Sequence, residues 1–137
     1  MMAVRYQRAE LPLKLEGLAA ARTFFSRCFG EQDCTRERLW VAHLDDEARC
    51  LHLSSHEGDA GGVDFPLRRI IVDAAQHGSA GLLLAHNHPS GDATPSDSDF
   101  RATRRLAAAA EALDCRLLDH LVFAGGDCTS FRSLGYL

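Results

Sequence analysis

The sequence lacks the features that would place it in a membrane or in the secretory pathway. No stretch approaches the roughly 18 consecutive apolar residues that a membrane-spanning helix needs. The N-terminal segment carries charges throughout and lacks the uninterrupted apolar centre of a secretory signal. We therefore expect a cytoplasmic protein that does not bind membranes.

A disulfide framework is also missing. The chain has five cysteines, an odd number, and no C-x-x-C pair. This pattern favours buried reduced thiols over disulfides or a cysteine zinc site, and it agrees with a reducing compartment. The cysteines are Cys28, Cys34, Cys50, Cys115 and Cys128.

An excess of positive charge is absent as well. The formal net charge is -4 and the sequence pI is about 5.9. Nonspecific affinity for nucleic acids comes largely from clustered Lys and Arg, so DNA is not expected as a strong direct ligand. Arg101, Arg104 and Arg105 would share one flank of a helix, which we interpret as a solvated surface.

What remains fits one globular domain. The chain has 137 residues, of which 46% are hydrophobic and 25% are charged. This length and composition allow a single buried core, and no repeat or interdomain linker is apparent.

Hydrophobic periodicity predicts the elements of the first half of the chain. Apolar residues at helical spacing predict a helix over 16–30 that ends at a glycine. Short apolar runs at 38–44 and 49–55, separated by polar residues, predict a β-hairpin. A second helix is predicted over 67–78, with Pro66 where it begins.

The second half continues with a strand, a helix and another hairpin. The apolar run at 80–86 predicts a strand buried on both faces. Thr94 as N-cap and Pro95 at the first helical position predict a helix that runs to about Leu113. Strand-like runs follow at 115–124 and 128–134. This order indicates one α/β domain with a mixed sheet flanked by helices.

A dense polar cluster follows the buried strand in "LLLAHNHPSGDATPSDSDF", residues 82–100. His86 and His88 are two residues apart, so on a strand end their side chains share one side. Ser96 and Asp99 are three residues apart, so at a helix start they also share a face. Two imidazoles and one carboxylate would give three protein ligands and an open fourth position, the arrangement of catalytic zinc.

The same residues allow a second interpretation, because S-x-x-D before a helix is also a capping signature. Both interpretations can hold at once, with Thr94 and Asp97 as residues of the helix start. The long fixed spacing from the two histidines to the serine and the aspartate nevertheless predicts metal binding.

At these positions the chain resembles a known family. "HNHPSGDATPSDSD" is similar to the zinc motif of the JAMM (MPN-plus, JAB) metalloproteases, and "HNHPSGD" together with "LLDH" at 117–120 resembles the RadC-like branch. The resemblance implies a single MPN/JAB domain with a cytidine-deaminase-like fold. It also implies that His86, His88 and Asp99 bind Zn²⁺ and that Ser96 supplies a supporting hydroxyl for the reacting oxygen.

The family's general acid and base is a glutamate directly before an apolar strand that ends in "LD". In "RERLWVAHLD" that position belongs to Glu37. The resemblance implies that Glu37 takes a proton from the attacking water and returns it to the leaving amine. It therefore implies a zinc-dependent metallopeptidase or isopeptidase that acts on a peptide or a protein conjugate. Taken without the family, Glu37 would be read as an exposed charge before a strand.

The resemblance covers residues 34–137 as the JAB domain and leaves 1–33 as an N-terminal extension whose helix packs on the domain. RadC-like proteins usually carry an N-terminal helix-hairpin-helix region, for which these first residues are too few. Of the family's signatures between the first hairpin and the second helix, only Pro66 survives.

Other functions remain as alternatives. A noncatalytic zinc-containing interaction domain is the main rival, and an association with DNA repair is implied by the family name alone. The spacing does not fit an HNH nuclease, and H-x-E with P-C-x-x-C, the signature of zinc deaminases, is absent. Neither the substrate nor the oligomeric state is specified by the sequence.

Several polar residues lie outside the motif. Asp119 and His120 either hydrogen-bond to a ligand histidine or form a structural pair. Nothing marks Cys34 as activated. The remaining histidines have no ligand spacing and are interpreted as strand or surface residues: His43, His52, His56 and His77.

Overall fold

A computed structural model describes residues 13–30, 35–58 and 65–137. The order of elements agrees with the sequence-based prediction of helix, hairpin, helix, strand, helix and hairpin. The elements are α1 (Leu18–Gly30), β1 (Arg38–Leu44), β2 (Cys50–Glu57), α2 (Leu67–His77), β3 (Gly81–Asn87), α3 (Asp97–Glu111), β4 (Arg116–Ala124) and β5 (Asp127–Ser130).

The strands form one five-stranded sheet in the order β2-β1-β3-β4-β5. β3 and β4 are parallel and are joined through α3, whereas the other neighbours are antiparallel. The mixed sheet of the predicted α/β domain is thereby confirmed. β5 is shorter than predicted, because the chain turns after Ser130, where the Leu134 N–H donates to the Ser130 carbonyl at 3.1 Å and the Tyr136 N–H to the Phe131 carbonyl at 2.9 Å.

Side chains that alternate along the strands pack against helices on both faces of the sheet. On one face, Trp40 and Ala85 belong to a cluster that includes Phe25 of α1. On the other face, Leu39 and Leu84 belong to a second cluster with Ile70 of α2 and Leu106 of α3. β3 is buried along its whole length, as a central strand covered on both faces should be.

Helix ends agree with the prediction at one position and differ at another. Gly78 follows α2 in the left-handed conformation, with φ of 59°, and its N–H bonds back to the helix. The predicted start of α3 at Thr94 is wrong, because Ser96 is the N-cap and the first helical residue is Asp97. Both sites carry a capping signature, and Ser96 has the acidic residue three positions on that completes a capping box.

Cys28, Cys50, Cys115 and Cys128 are free thiols, and Cys34 lies outside the described residues. Within the described ranges, no helix combines the length and apolar character that crossing a membrane requires.

Candidate metal centre

The two predicted histidines and the predicted aspartate converge at the carboxyl end of β3. His86 Nε2 lies 2.9 Å from His88 Nε2, which in turn lies 3.2 Å from Asp99 Oδ2. His86 Nε2 lies 3.5 Å from Asp99 Oδ1. Among the described residues, these three form the group whose donor atoms are close enough together to share a metal ion.

The distances between these three ligand atoms fit tetrahedral coordination of one metal ion. Two ligand atoms about 2.0–2.1 Å from one zinc ion, at the tetrahedral angle, lie roughly 3.3–3.4 Å apart. The three measured separations, 2.9, 3.2 and 3.5 Å, bracket that distance. The donor set can therefore hold a zinc ion with little movement of the side chains.

The hydrogen bond of the second ring nitrogen of His88, Nδ1, is compatible with metal binding at Nε2. His88 Nδ1 lies 2.8 Å from the Asp92 carbonyl oxygen, which can only accept. His88 Nδ1 therefore donates to that carbonyl, which leaves Nε2 as the ring atom that faces His86 and Asp99.

Asp99 supplies the negative charge. Burial would raise the pKa of its carboxyl group, but hydrogen bonding and charge interaction with His86, together with the Ser96 backbone N–H, hold that pKa below its usual range. The carboxylate is therefore ionised at neutral pH and ready to act as a ligand.

Ser96 contacts Asp99 rather than the other ligands. Its N–H donates to Asp99 Oδ2 at 2.8 Å, and its Oγ accepts from the Asp99 N–H at 3.1 Å. Its hydroxyl also lies 3.0 Å from Ser98 Oγ. The capping interpretation therefore holds for Ser96 and Asp99 while the carboxylate still faces the histidines.

Glu37 lies directly before β1 at the same end of the sheet. Its carbonyl accepts from the Gly58 N–H at 3.0 Å, which extends the β1–β2 ladder by one residue. Leu39 pairs with His86 across β1 and β3. Strand alternation therefore puts Glu37 on the same face as Leu39 and His86, at the register position opposite His88.

Asn87, between the two histidines, holds the segment that contains Glu37. Its Oδ1 accepts from the Arg38 N–H at 2.7 Å, and its Nδ2 donates to the Arg36 carbonyl at 3.0 Å. The Asn87 amide thus binds the backbone on both sides of Glu37. Sequence reasoning missed this role, because the signal appears only once the β1–β3 register is known.

Asp119 and His120 have separate roles, because neighbouring residues on a strand face opposite ways. His120 shares the face of His86, and its Nε2 lies 2.7 Å from His86 Nδ1. Asp119, on the other face, accepts from Ser130 Oγ at 2.6 Å and from the Arg132 N–H at 3.0 Å. His120 therefore contacts a candidate ligand histidine, as one prediction had it, whereas Asp119 stabilises the turn after β5.

Thr103 is a further residue that the sequence analysis missed. Its Oγ1 lies 2.7 Å from the Asp99 carbonyl oxygen and 2.7 Å from His120 Nδ1. The available signal was its position four residues after Asp99, which places both on one face of α3. Burial, followed by the proximity of His86, lowers the pKa of His120 well below its usual value.

A second group of histidines lies at the opposite end of β1. His43 is fully buried, and its Nδ1 lies 2.9 Å from Ser79 Oγ. The ring centroids of His52 and His77 lie 5.4 and 5.9 Å from that of His43. Unlike His86, His88 and Asp99, the histidines of this group do not bring three ligand atoms together around one point. The strand interpretation of His43 therefore stands.

Known proteins resemble the chain over most of its length. Residues 16–136 match the family model described as RadC-like JAB domain, and this match includes α1. UPF0758 proteins of Vibrio atlanticus, Vibrio parahaemolyticus and Vibrio campbellii are each 38% identical over 107 residues. Those residues are 77% of this chain and 48% of each relative, so the chain spans about half the length of the curated relatives it matches. The division into 1–33 and 34–137 stays a prediction.

Proposed function

The chain belongs to the RadC-like JAB domain family, and from that premise we propose that it is a zinc-dependent metallopeptidase or isopeptidase. The observation that carries the proposal is the convergence of His86 Nε2, His88 Nε2 and an Asp99 carboxylate within 3.5 Å of one another. A single cation placed among these atoms would contact all three of them.

Zinc suits this donor set better than the hard cations do. Two imidazoles and one carboxylate are typical of catalytic zinc, whereas calcium and magnesium take oxygen ligands. A bound zinc ion would supply Lewis acidity, which polarises a carbonyl and makes a water molecule acidic near neutral pH. Three protein ligands leave one position for that chemistry.

The proton transfers belong to Glu37 in this proposal. Its carboxylate takes a proton from the water whose oxygen attacks the amide carbon. As the C–N bond breaks, Glu37 returns that proton to the leaving nitrogen, so the products are a carboxylic acid and an amine. Support comes from its position before β1 on the face of His86 and from the Asn87 contacts on both sides of it.

Ser96 is proposed to donate a hydrogen bond to the reacting oxygen. Its Oγ accepts from the Asp99 N–H, which leaves the hydroxyl hydrogen for another acceptor. Its exposure at the start of α3 leaves it accessible to a substrate.

The proposed substrate is a peptide or a protein conjugate rather than DNA, because the net charge of -4 does not favour a polyanion. The proposed location is the cytoplasm, which the free thiols of the four cysteines in the described ranges support.

The test combines metal content with turnover. We would measure zinc by elemental analysis in protein freed of any affinity tag, and hydrolysis of a peptide and isopeptide panel by wild type and Glu37→Gln. We expect about one zinc per chain, given three ligands, and a loss of about 10² to 10⁴ in rate for Glu37→Gln with zinc retained.

Glu57→Gln is the matched control, because Glu57 lies at the same end of the sheet and pairs with Arg36 and Arg38. It should hydrolyse like wild type. Absence of zinc after reconstitution would overturn the proposal. Zinc without hydrolysis of any substrate would favour the noncatalytic interaction domain.

A further inference from the structure

We propose that His120 and Thr103 form a positioning relay that holds the hydrogen of His86 on Nδ1, so that its Nε2 is free to bind metal, and that ties this ring to the backbone of Asp99. The proposal rests on the metal site proposed above. It adds two residues that do not bind the metal themselves.

The direction of each hydrogen bond in this series is fixed at one end, by a carbonyl group that has no hydrogen to donate. The Asp99 carbonyl only accepts, so the Thr103 hydroxyl donates its single hydrogen there, at 2.7 Å. Thr103 Oγ1 must then accept at its other contact, 2.7 Å from His120 Nδ1. His120 therefore carries its hydrogen on Nδ1.

The assignment continues to the metal ligand. His120 is 2% exposed, and its two ring nitrogens face only the Thr103 hydroxyl and His86 Nδ1. A His86 ring that binds metal through Nε2 carries its hydrogen on Nδ1, and His120 Nε2, 2.7 Å away, is placed to accept that hydrogen. The lone pair of His86 is thereby left on Nε2, which faces His88 and Asp99.

This order matters because neutral histidine in water prefers its hydrogen on Nε2, the atom that would bind the metal. Without the relay, His86 would have to change tautomer before binding. The hydrogen bonds of the relay form when the protein folds and set the His86 tautomer before metal binds. Hydrogen bonds of this kind typically contribute about 10- to 100-fold in metal affinity.

The relay also links three elements of the fold through a closed ring of contacts. His86 comes from β3, His120 from β4, and both Thr103 and Asp99 from α3. The Thr103 hydroxyl binds the carbonyl of the same residue whose carboxylate faces His86. The position of the first turn of α3 is therefore linked to the orientation of the His86 ring.

The test uses isosteric substitutions. Thr103→Val keeps the shape and removes the hydroxyl, and Thr103→Ser keeps the hydroxyl. His120→Phe keeps a ring to stack on Phe131, whose centroid lies 4.7 Å away, and removes the acceptor. Ser130→Ala is the control, because its hydroxyl binds Asp119 on the opposite face of the sheet.

Two readouts would be taken on the full chain. Zinc affinity comes from competition with a chromophoric chelator, and the His86 tautomer comes from imidazole ¹⁵N chemical shifts in metal-free protein. Thr103→Val and His120→Phe should lower zinc affinity by about 10- to 100-fold and move the hydrogen of His86 toward Nε2. Thr103→Ser and Ser130→Ala should match wild type in both readouts.

Wild-type affinity and tautomer in Thr103→Val would overturn the relay, as would a loss in Thr103→Ser equal to that in Thr103→Val. Weaker zinc binding with an unchanged tautomer would assign the effect to packing and also overturn it. If His120→Phe does not fold, the comparison of Thr103→Val with Thr103→Ser decides whether the relay exists. Neither readout uses hydrolysis, and the tautomer is read without metal, so the relay and the proposed activity can fail separately.

Discussion

Ser96 and Asp99 hydrogen-bond to each other in both directions, so one pair begins α3 and also fixes a candidate metal ligand. Ser96→Ala removes the Oγ acceptor and keeps the backbone N–H that binds the carboxylate. We expect a loss of about 0.5–2 kcal/mol in unfolding free energy, with zinc retained and a smaller loss of turnover than in Glu37→Gln. Urea denaturation and zinc analysis on the same samples check this, and Ser98→Ala measures what the Ser96–Ser98 hydroxyl contact alone contributes. A Ser96→Ala protein as stable as wild type would contradict the cap.

Substituting the ligands tests the metal site most directly. His86→Ala, His88→Ala and Asp99→Ala each leave two protein ligands, which should hold zinc far less well than three. Elemental analysis after gel filtration should show clearly less than one zinc per chain. His52→Ala is the control, since His52 lies in the histidine group around His43. A full zinc equivalent in any ligand variant would exclude that residue from the site.

Asn87→Asp should lower turnover without removing zinc. The new carboxylate can still accept from the Arg38 N–H but cannot donate to the Arg36 carbonyl, so the backbone around Glu37 is released on one side. Displacement of a catalytic group by about 1 Å can cost about 10² in rate. Adding Asn87→Asp to Glu37→Gln should produce little further loss if Asn87 acts through Glu37. Fully additive losses would point to another role.

The stability of the protein should fall in mild acid because of His43. Burial, and then the proximity of His52 and His77, lower the pKa of His43 to about 3. The unfolded imidazole binds a proton below about pH 6.5, so between these values the unfolded state holds more protons and stability rises with pH. The contribution is complete above pH 6.5 and is lost as the pH falls toward 3.

Urea titrations at pH 7 and pH 5 check this prediction, with a chelator present so that the metal site does not contribute. His43→Asn keeps a partner for Ser79 and cannot titrate. Wild type should lose up to about 2 kcal/mol more than the variant between the two pH values. Equal losses would show that His43 is not the group responsible.

Two helix-ending glycines should respond differently to alanine. Gly78 has φ of 59°, where an added Cβ costs roughly 1–2 kcal/mol. Gly30 is the last residue of α1 and has no positive φ, and an added Cβ would meet open space. Gly78→Ala should therefore lower the thermal midpoint, and Gly30→Ala should leave it unchanged or raise it slightly. A similar fall in both would argue against the left-handed cap.

The same two glycines show where the sequence is informative. Position alone predicts both as helix stops, and α2 does end at the left-handed Gly78, whereas α1 is described up to Gly30, which has no positive φ. The β1 strand was predicted with its observed bounds, since its apolar run is flanked by charged residues. The start of α3 was misplaced because Thr94 and Ser96 both fit a cap, and only Ser96 gains the reciprocal bond from Asp99.

The sequence predicts those site residues that lie close together along the chain. His86, His88 and Asp99 lie within one short segment, so their convergence follows from a strand end and a helix start. His120 and Asp119 could not be separated, because the face each residue takes depends on a bulge in the β3–β4 pairing near Leu82. Asn87 was missed for a related reason, since its partners are 49 and 51 residues away.

The continuous β3–α3–β4 segment contains the candidate ligands together with His120 and Thr103, whereas Glu37 precedes β1. With the proposed roles, this separation has an evolutionary consequence. A descendant gene that changes one codon at position 37 would lose hydrolysis and inherit an intact metal-binding unit. Selection would then retain the inactive protein for its stability or its contacts alone. Active and inactive members of such a lineage would therefore share nearly the same ligand segment.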